Sequence, residues 1–193
     1  MTAAILDSPL HLVNFVSVDV ETTGLDPRRD AIIEIGAVRV RGGIIVEEFD
    51  TLVACDRTIP HDAWRVHRIS ADMLVGKPPV ARALPMLLSF IREGVPVEHS
   101  WKAFDVAFLE NALGKPLAPV CINTCTLSRQ LFPFHCKHSL EECCRRHNIR
   151  NRQAHRALGD ARATAQLLLY FLELCSPRYP RLKDLAKVAS VER

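Results

Sequence analysis

Val16, Val18 and Val20 alternate with Phe15, Ser17, Asp19 and Glu21 in the stretch FVSVDVETTGLDP, which is the two-residue period of a β-strand. The strand is apolar on one face and turns acidic toward the end of the other. TTGLDPRRD then reads as a turn-rich connection. AIIEIGAVRV, RGG and IIVEEFDTLV follow, giving two further strands joined by a tight glycine turn. A three-stranded meander is therefore committed within the first quarter of the chain, and the rest must cover that sheet.

From about residue 62 the pattern becomes helical segments separated by short extended pieces. The periodicity predicts a short helix over 62–68, a helix over 79–92, a strand near 95–99, a helix at Phe104–Leu113 and a short strand around 120–123. Helices are then expected at Thr124–Leu131, 140–147 and 158–175. The fold class expected is α/β, a mixed sheet flanked by helices. At 193 residues with 48% hydrophobic and 24% charged side chains, the chain has the size and composition of a single soluble domain. The domain is expected to run over 1–193, with its core at about 14–175. SPRYPRLKDLAKVASVER, residues 176–193, reads as a short basic C-terminal tail.

The first residues, MTAAILDSPLHLVNF, have neither the basic leader nor the apolar run of a secretion signal. AQLLLYFLELC, the longest apolar stretch, is too short to span a bilayer and contains Glu173. A cytoplasmic location follows as the expectation. Seven cysteines without a repeating spacing read as reduced thiols. Cys121, Cys125, His135, Cys136 and His138 include zinc-ligand types but no paired C-x-x-C, which weighs against a structural zinc. The net charge of +3 is small, but CCRRHNIRNRQAHRALG holds Arg145, Arg146, Arg150, Arg152 and Arg156 without an acid. Taken alone it reads as a solvated loop.

Asp19 and Glu21 lie two residues apart on a strand, so they share a face, with Cα atoms roughly 6 to 7 Å apart. By itself this is a solvated strand end. Further on, AFDVAFLENAL places Asp105 in the first turn of an amphipathic helix, where the helix dipole favours an acid. HRALGDARATAQLLLYFLELC places Asp160 near the start of another helix, five residues after His155. On an ideal helix that offset is a rotation of roughly 140°, so both serve one site only if His155 comes from the turn before the helix. A histidine on a turn suits a proton carrier. Were the four acids to converge, each pair of like charges 4 Å apart would repel by about 4 kcal/mol at an effective dielectric of 20. Divalent cations would relieve this, and all-oxygen ligands suit magnesium or manganese. Two such ions are the arrangement that serves phosphoryl transfer.

VDVETTGLDP, AFDVAFL and HRALGD resemble, in order and spacing, the three motifs of the DEDDh 3′-5′ exonucleases. This is the superfamily of the proofreading epsilon subunit of bacterial DNA polymerase III, and the likeness covers about residues 14–175. The resemblance implies an RNase H-like fold whose five-stranded mixed sheet has the acid-bearing strand at its centre. It implies that Asp19, Glu21, Asp105 and Asp160 hold two divalent cations, Mg2+ or Mn2+, with His155 as general base. Thr22 and Thr23 would lie against the terminal nucleotide, and PHDAWRVHRIS resembles a substrate-contacting segment, which puts Asp62 and His67 near the 3′ terminus. Outside the resemblance, Asp62 reads as a helix cap and His67 as a surface histidine.

Some positions depart from the family pattern. Ser100 and Trp101 stand where many members have His-Asn, with His99 displaced by one; Arg68 replaces a usual glycine and Asn123 a usual aspartate. Trp101 reads as a base-stacking residue or as a core tryptophan. The activity implied is hydrolysis of phosphodiester bonds at nucleic-acid 3′ ends, single-stranded or frayed DNA first, releasing nucleoside 5′-monophosphates. The alternatives are an RNA-trimming exoribonuclease of the same superfamily and a non-catalytic nucleic-acid-binding module. The arginine cluster then becomes a candidate hold on the substrate backbone. Implied partners are DNA or RNA 3′ ends and a polymerase or repair protein, although a stand-alone nuclease fits the short tail.

Overall fold

The computed structural model describes residues 3–191. Its five strands are β1 (Phe15–Thr22), β2 (Ile32–Arg41), β3 (Ile44–Leu52), β4 (Val95–Glu98) and β5 (Ile122–Asn123). They form one sheet in the order β3-β2-β1-β4-β5. β1 pairs antiparallel with β2, and β2 with β3, whereas β4 lies parallel to β1 and β5 parallel to β4. The acid-bearing strand is therefore central, in a mixed sheet.

Helices α1 (Ala3–Leu6), α2 (His61–His67), α3 (Ala71–Leu74), α4 (Val80–Ile91), α5 (Phe104–Leu113), α6 (Thr124–Leu131), α7 (Leu140–Arg146), α8 (Ala157–Cys175) and α9 (Leu182–Ala189) surround the sheet. Alternation on β1 divides the core in two. Val16, Val18 and Val20 pack with Leu84 and Leu87 of α4 and Val106 and Leu109 of α5. Phe15 packs on the opposite face with Ala161, Ala165, Leu168 and Phe171 of α8. The odd-numbered residues of β1 thus face α8.

The segment read as a basic tail is not one. Leu182, Leu185 and Ala189 of α9 are fully buried against the α8-side core, an i, i+3, i+7 stripe. Lys183 and Lys187 of the helix and Arg181 before it are exposed and hide the stripe from a reading by charge. The short α3 was also not anticipated. No helix of the described residues is long and apolar enough to cross a membrane.

Candidate metal centre at the end of the central strand

Ser17, one alternation before Asp19, donates its hydroxyl to the Ala161 carbonyl of α8 at 2.7 Å. The next two residues on that face are Asp19 and Glu21, so they point toward the start of α8. Gly36 of β2 pairs directly with Asp19. A Cβ at Gly36 would collide with the backbone of Ala157 and Leu158, so only glycine lets the helix start come this close. One turn into α8, Asp160 completes a group in which ligand oxygens of Asp19, Glu21 and Asp160 all lie within 4.8 Å of one another.

His155 sits in the turn before α8, exposed, with a left-handed φ of 61°. Its backbone N–H donates to Asp160 Oδ2 at 3.0 Å, while Asn151 Nδ2 donates to Oδ1. Asp160 therefore holds the turn that carries the histidine as well as facing the other acids. The histidine comes from the turn, as the rotation argument required.

Asp105 reaches the same strand by another route. β4 pairs with β1 only as far as Ser17, and beyond it Val20 N–H meets Asp105 Oδ1 at 3.1 Å. The buried Asp105 thus replaces a missing strand partner with one oxygen. It is not in the three-acid oxygen group, but its charge raises the pKa of both Asp19 and Glu21.

Burial is the largest influence on every acid here. It holds the Asp19 carboxyl well above the usual range, reinforced by Asp105, Asp160 and Glu21. Glu21 is pushed up to about 8, by burial and then by Asp160 and Glu34. Asp105 rises to about 7 by burial, against the opposing Val20 N–H bond. Asp160 is also raised by burial, opposed by its bonds to Asn151 and His155. Among the described residues, no lysine or arginine forms an ion pair with Asp19, Glu21 or Asp160. The donor set is all oxygen, crowded and short of positive charge, which fits hard divalent cations.

Two further acids were missed in the sequence. Glu34 of β2 is buried beside this group and is gripped by the Arg156 guanidinium and by Ala157 N–H at 2.9 Å. Glu98 is fully buried at the end of β4, raised to about 8 by burial and then by Asp105. It accepts from Val106 N–H at 3.1 Å and Asn123 Nδ2 at 2.8 Å, so it fixes the first turn of α5 on which Asp105 rides. VPVE ends a strand in an acid just as VDVE does, which was the available signal. Asn123, where an aspartate is usual in the resemblance, supplies the amide that Glu98 needs.

The remaining candidates fare differently. Thr22 and Thr23 are buried, and their hydroxyls serve the turn: Thr22 donates to Gly24 O at 2.6 Å, and Thr23 accepts from Ala31 N–H at 2.9 Å. Asp62 is exposed in the first turn of α2 and makes no capping bond. His67 is no surface histidine: it is 2% exposed, its Nδ1 accepts from Ile69 N–H at 3.0 Å, and its buried Nε2 has no partner among the described residues. Burial lowers its pKa. The arginine cluster is largely committed within the fold, since Arg156 pairs with Glu34 while Arg145 and Arg146 pair with Glu142. The cysteines and histidines of 121–138 form no metal-sized group among the described residues. Trp101 is 64% exposed, so it is not a core residue.

A mixed sheet of this order, with carboxylates gathered at the end of its central strand, is an RNase H-like fold. Residues 16–168 match the family model RNase_T, described as Exonuclease, and the chain belongs to this exonuclease family, with the motif residues of its DEDDh type. The chain is 36% identical over 163 residues to DNA polymerase III subunit epsilon of Aquifex aeolicus, covering 82% of this chain and 80% of that protein. It is 37% identical over 172 residues to DNA polymerase III PolC-type of Thermotoga maritima, covering 87% of this chain but only 12% of the relative. Among solved structures, exonuclease X in complex with 5′ overhanging duplex DNA superposes with a TM-score of 0.74 at 27% identity, covering 90% of this chain and 98% of that one. The nuclease domain of 3′hExo bound to rAMP gives the same TM-score at 12% identity, over 96% of this chain and all of that one, which shows the shared fold. The family is divalent-metal dependent.

Proposed function

We propose that the protein is a 3′-5′ exonuclease that cleaves the terminal phosphodiester of single-stranded or frayed DNA and releases nucleoside 5′-monophosphates. The observation that carries this is the grouping of Asp19, Glu21 and Asp160 oxygens within 4.8 Å, beside Asp105 and a histidine-bearing turn tied to Asp160. Asp19, Glu21, Asp105 and Asp160 would hold two magnesium or manganese ions. When bound, these would supply charge neutralisation at the phosphate and a water acidic enough to attack at neutral pH.

The chain's own groups have separable tasks. His155, exposed on its turn, takes the proton of the attacking water as the new P–O bond forms. The bond from phosphorus to the preceding nucleotide's O3′ breaks, and that oxygen gains a proton to become the new 3′-hydroxyl. Thr22 and Thr23 shape the turn against which the terminal nucleotide rests. Burial disfavours the charged form of His67, and its Nε2, without a partner among the described residues, is a polar group for the 3′ end, with Asp62 at the mouth of the same segment. Arg150 and Arg152, exposed and without an acid partner among the described residues, remain to hold the backbone. Two relatives bear the name of DNA polymerase III, and we extend to this protein an association with a polymerase or repair partner.

The test is an assay of 3′ and 5′ shortening on labelled single-stranded DNA, mismatched duplex and RNA, with magnesium, manganese or chelator. The expected result is 3′ loss that stops in chelator. Shortening from the 5′ end, or activity undiminished by chelation, would overturn the mechanism, and a preference for RNA would move the substrate class.

A further inference from the structure

Trp101 lies in the loop between β4 and α5, on the same strand end as the acids, with 64% of its surface exposed. Exposed indole is costly to leave in water without a use. The ring is held by Arg129 of α6, whose guanidinium carbon stands 3.6 Å from the ring centroid, the closest cation–aromatic approach among the described residues. Arg129 forms no ion pair among the described residues. The loop is fixed by a backbone that side chains resist: Lys102 and Ala103, consecutive and neither a glycine, have φ of 64° and 57°.

A cavity of about 750 Å³ opens beside this stack. Its lining includes Trp101, Arg129, Lys137, His135 and His138, and contains no aspartate or glutamate. Phe134, 95% exposed, stands next to its rim residues Pro133 and His135. A second hollow of about 430 Å³ shares Trp101 and Arg129 and adds Lys102. Aromatic faces interleaved with cations, without acids, are the chemistry that holds single-stranded nucleic acid, bases stacking on rings and phosphates meeting charge.

We propose that the Trp101–Arg129 wall is a second binding site, for nucleotides of a single strand upstream of its 3′ end, separate from the centre that cleaves it. This rests on the nuclease reading above. The strand's end lies among the carboxylates, while a base further back stacks on Trp101 and its phosphates meet Arg129 and Lys137. The site sets grip on longer strands and takes no part in bond breaking.

The experiment compares Trp101→Ala and Arg129→Gln with the unaltered protein. Binding of labelled dT oligonucleotides of two to twelve residues is measured in calcium or chelator, where cleavage does not intrude. Hydrolysis of the p-nitrophenyl ester of thymidine 5′-monophosphate is followed in manganese. Trp101→Ala should weaken the twelve-residue strand roughly tenfold or more, leave the dinucleotide within about twofold, and spare the ester. Arg129→Gln should also lower the salt dependence of long-strand binding by about one counterion. Affinity for the long strand unchanged from the unaltered protein in both variants overturns the proposal. So does loss of ester hydrolysis, which would make Trp101 a support for Asp105, and so does an unaltered protein that binds no oligonucleotide, which would assign the wall to a protein. Should the ester never be hydrolysed by any form while the length-dependent binding loss persists, the cleavage reading fails and this site stands.

Discussion

The acids at the end of β1 and the cysteines and histidines between β5 and α7 offer equally familiar metal-ligand atoms, yet their polar atoms are situated oppositely. In the second group, His138 places Nδ1 2.8 Å from Ser128 Oγ and Nε2 2.9 Å from His135 O, and Cys125 Sγ lies 3.3 Å from His138 O. His99 likewise has Thr124 Oγ1 and His138 O at 2.9 Å. These side chains act as internal fasteners. Asp19, Glu21 and Asp160 instead face one another with burial raising all three; Asn151 and the His155 N–H bond to Asp160, but among the described residues no lysine or arginine pairs with any of the three. What distinguishes the candidate metal centre is uncompensated charge rather than ligand type.

The largest expected contrast is in activity. Asp19→Asn should lower exonuclease turnover about a thousandfold, equivalent to about 4 kcal/mol, whereas His138→Gln should stay within about twofold; a comparable loss in both would erase the distinction. His155→Ala should cost about a hundredfold with little change in melting temperature, since its ring is exposed and its hydrogen bond to Asp160 comes from the backbone N–H, which the variant keeps. Gly36→Ala should lower stability by about 1 to 3 kcal/mol through its collision with the start of α8, and turnover should fall further than the folded fraction because Asp160 is displaced. Thermal denaturation beside turnover on the folded protein separates those effects.

The last contrast is in pH. A carboxyl whose folded pKa is raised binds its proton more tightly in the native state. In chelator, stability should therefore be full below about pH 4, where both states are protonated, and fall as pH rises from there toward about 8, where Glu21 ionises in the fold. Added magnesium competes with those protons, so it should raise the melting temperature more at pH 8 than at pH 6. A flat profile would mean the acids are already compensated. Zinc added to a protein carrying Asp19→Asn and Asp160→Asn should not raise the melting temperature, and a rise would reinstate the Cys/His group.

Much of this was legible because it rests on period and spacing. The alternation of 15–21 placed Asp19 and Glu21 on one face, and the offset of five put His155 on a turn. What escaped depended on partners far along the chain. Glu34 looked like one acid in an apolar strand until Arg156, 122 residues on, was seen to hold it. Glu98 required both Asn123 and the amide of Val106. The hydroxyl bonds of Thr22 to Gly24 and of Thr23 to Ala31 likewise needed the fold to be seen, since their place in a motif says nothing of how the turn is held. The stripe of α9 was present in the letters, but flanking positive charge invited a solvated reading.

α9 also decides where later instruments can be attached. After it, Ser190 bridges to Ile122 and Val191 N–H bonds to Cys121 O at 2.9 Å, laying the chain along the outer edge of β5. Ser190 and Val191 form part of the hollow that Trp101 and Arg129 line. A fluorophore attached at this position through Ser190→Cys would stand beside the tryptophan. There it would act as a reporter of an arriving strand if small, and as a competitor for it if acidic.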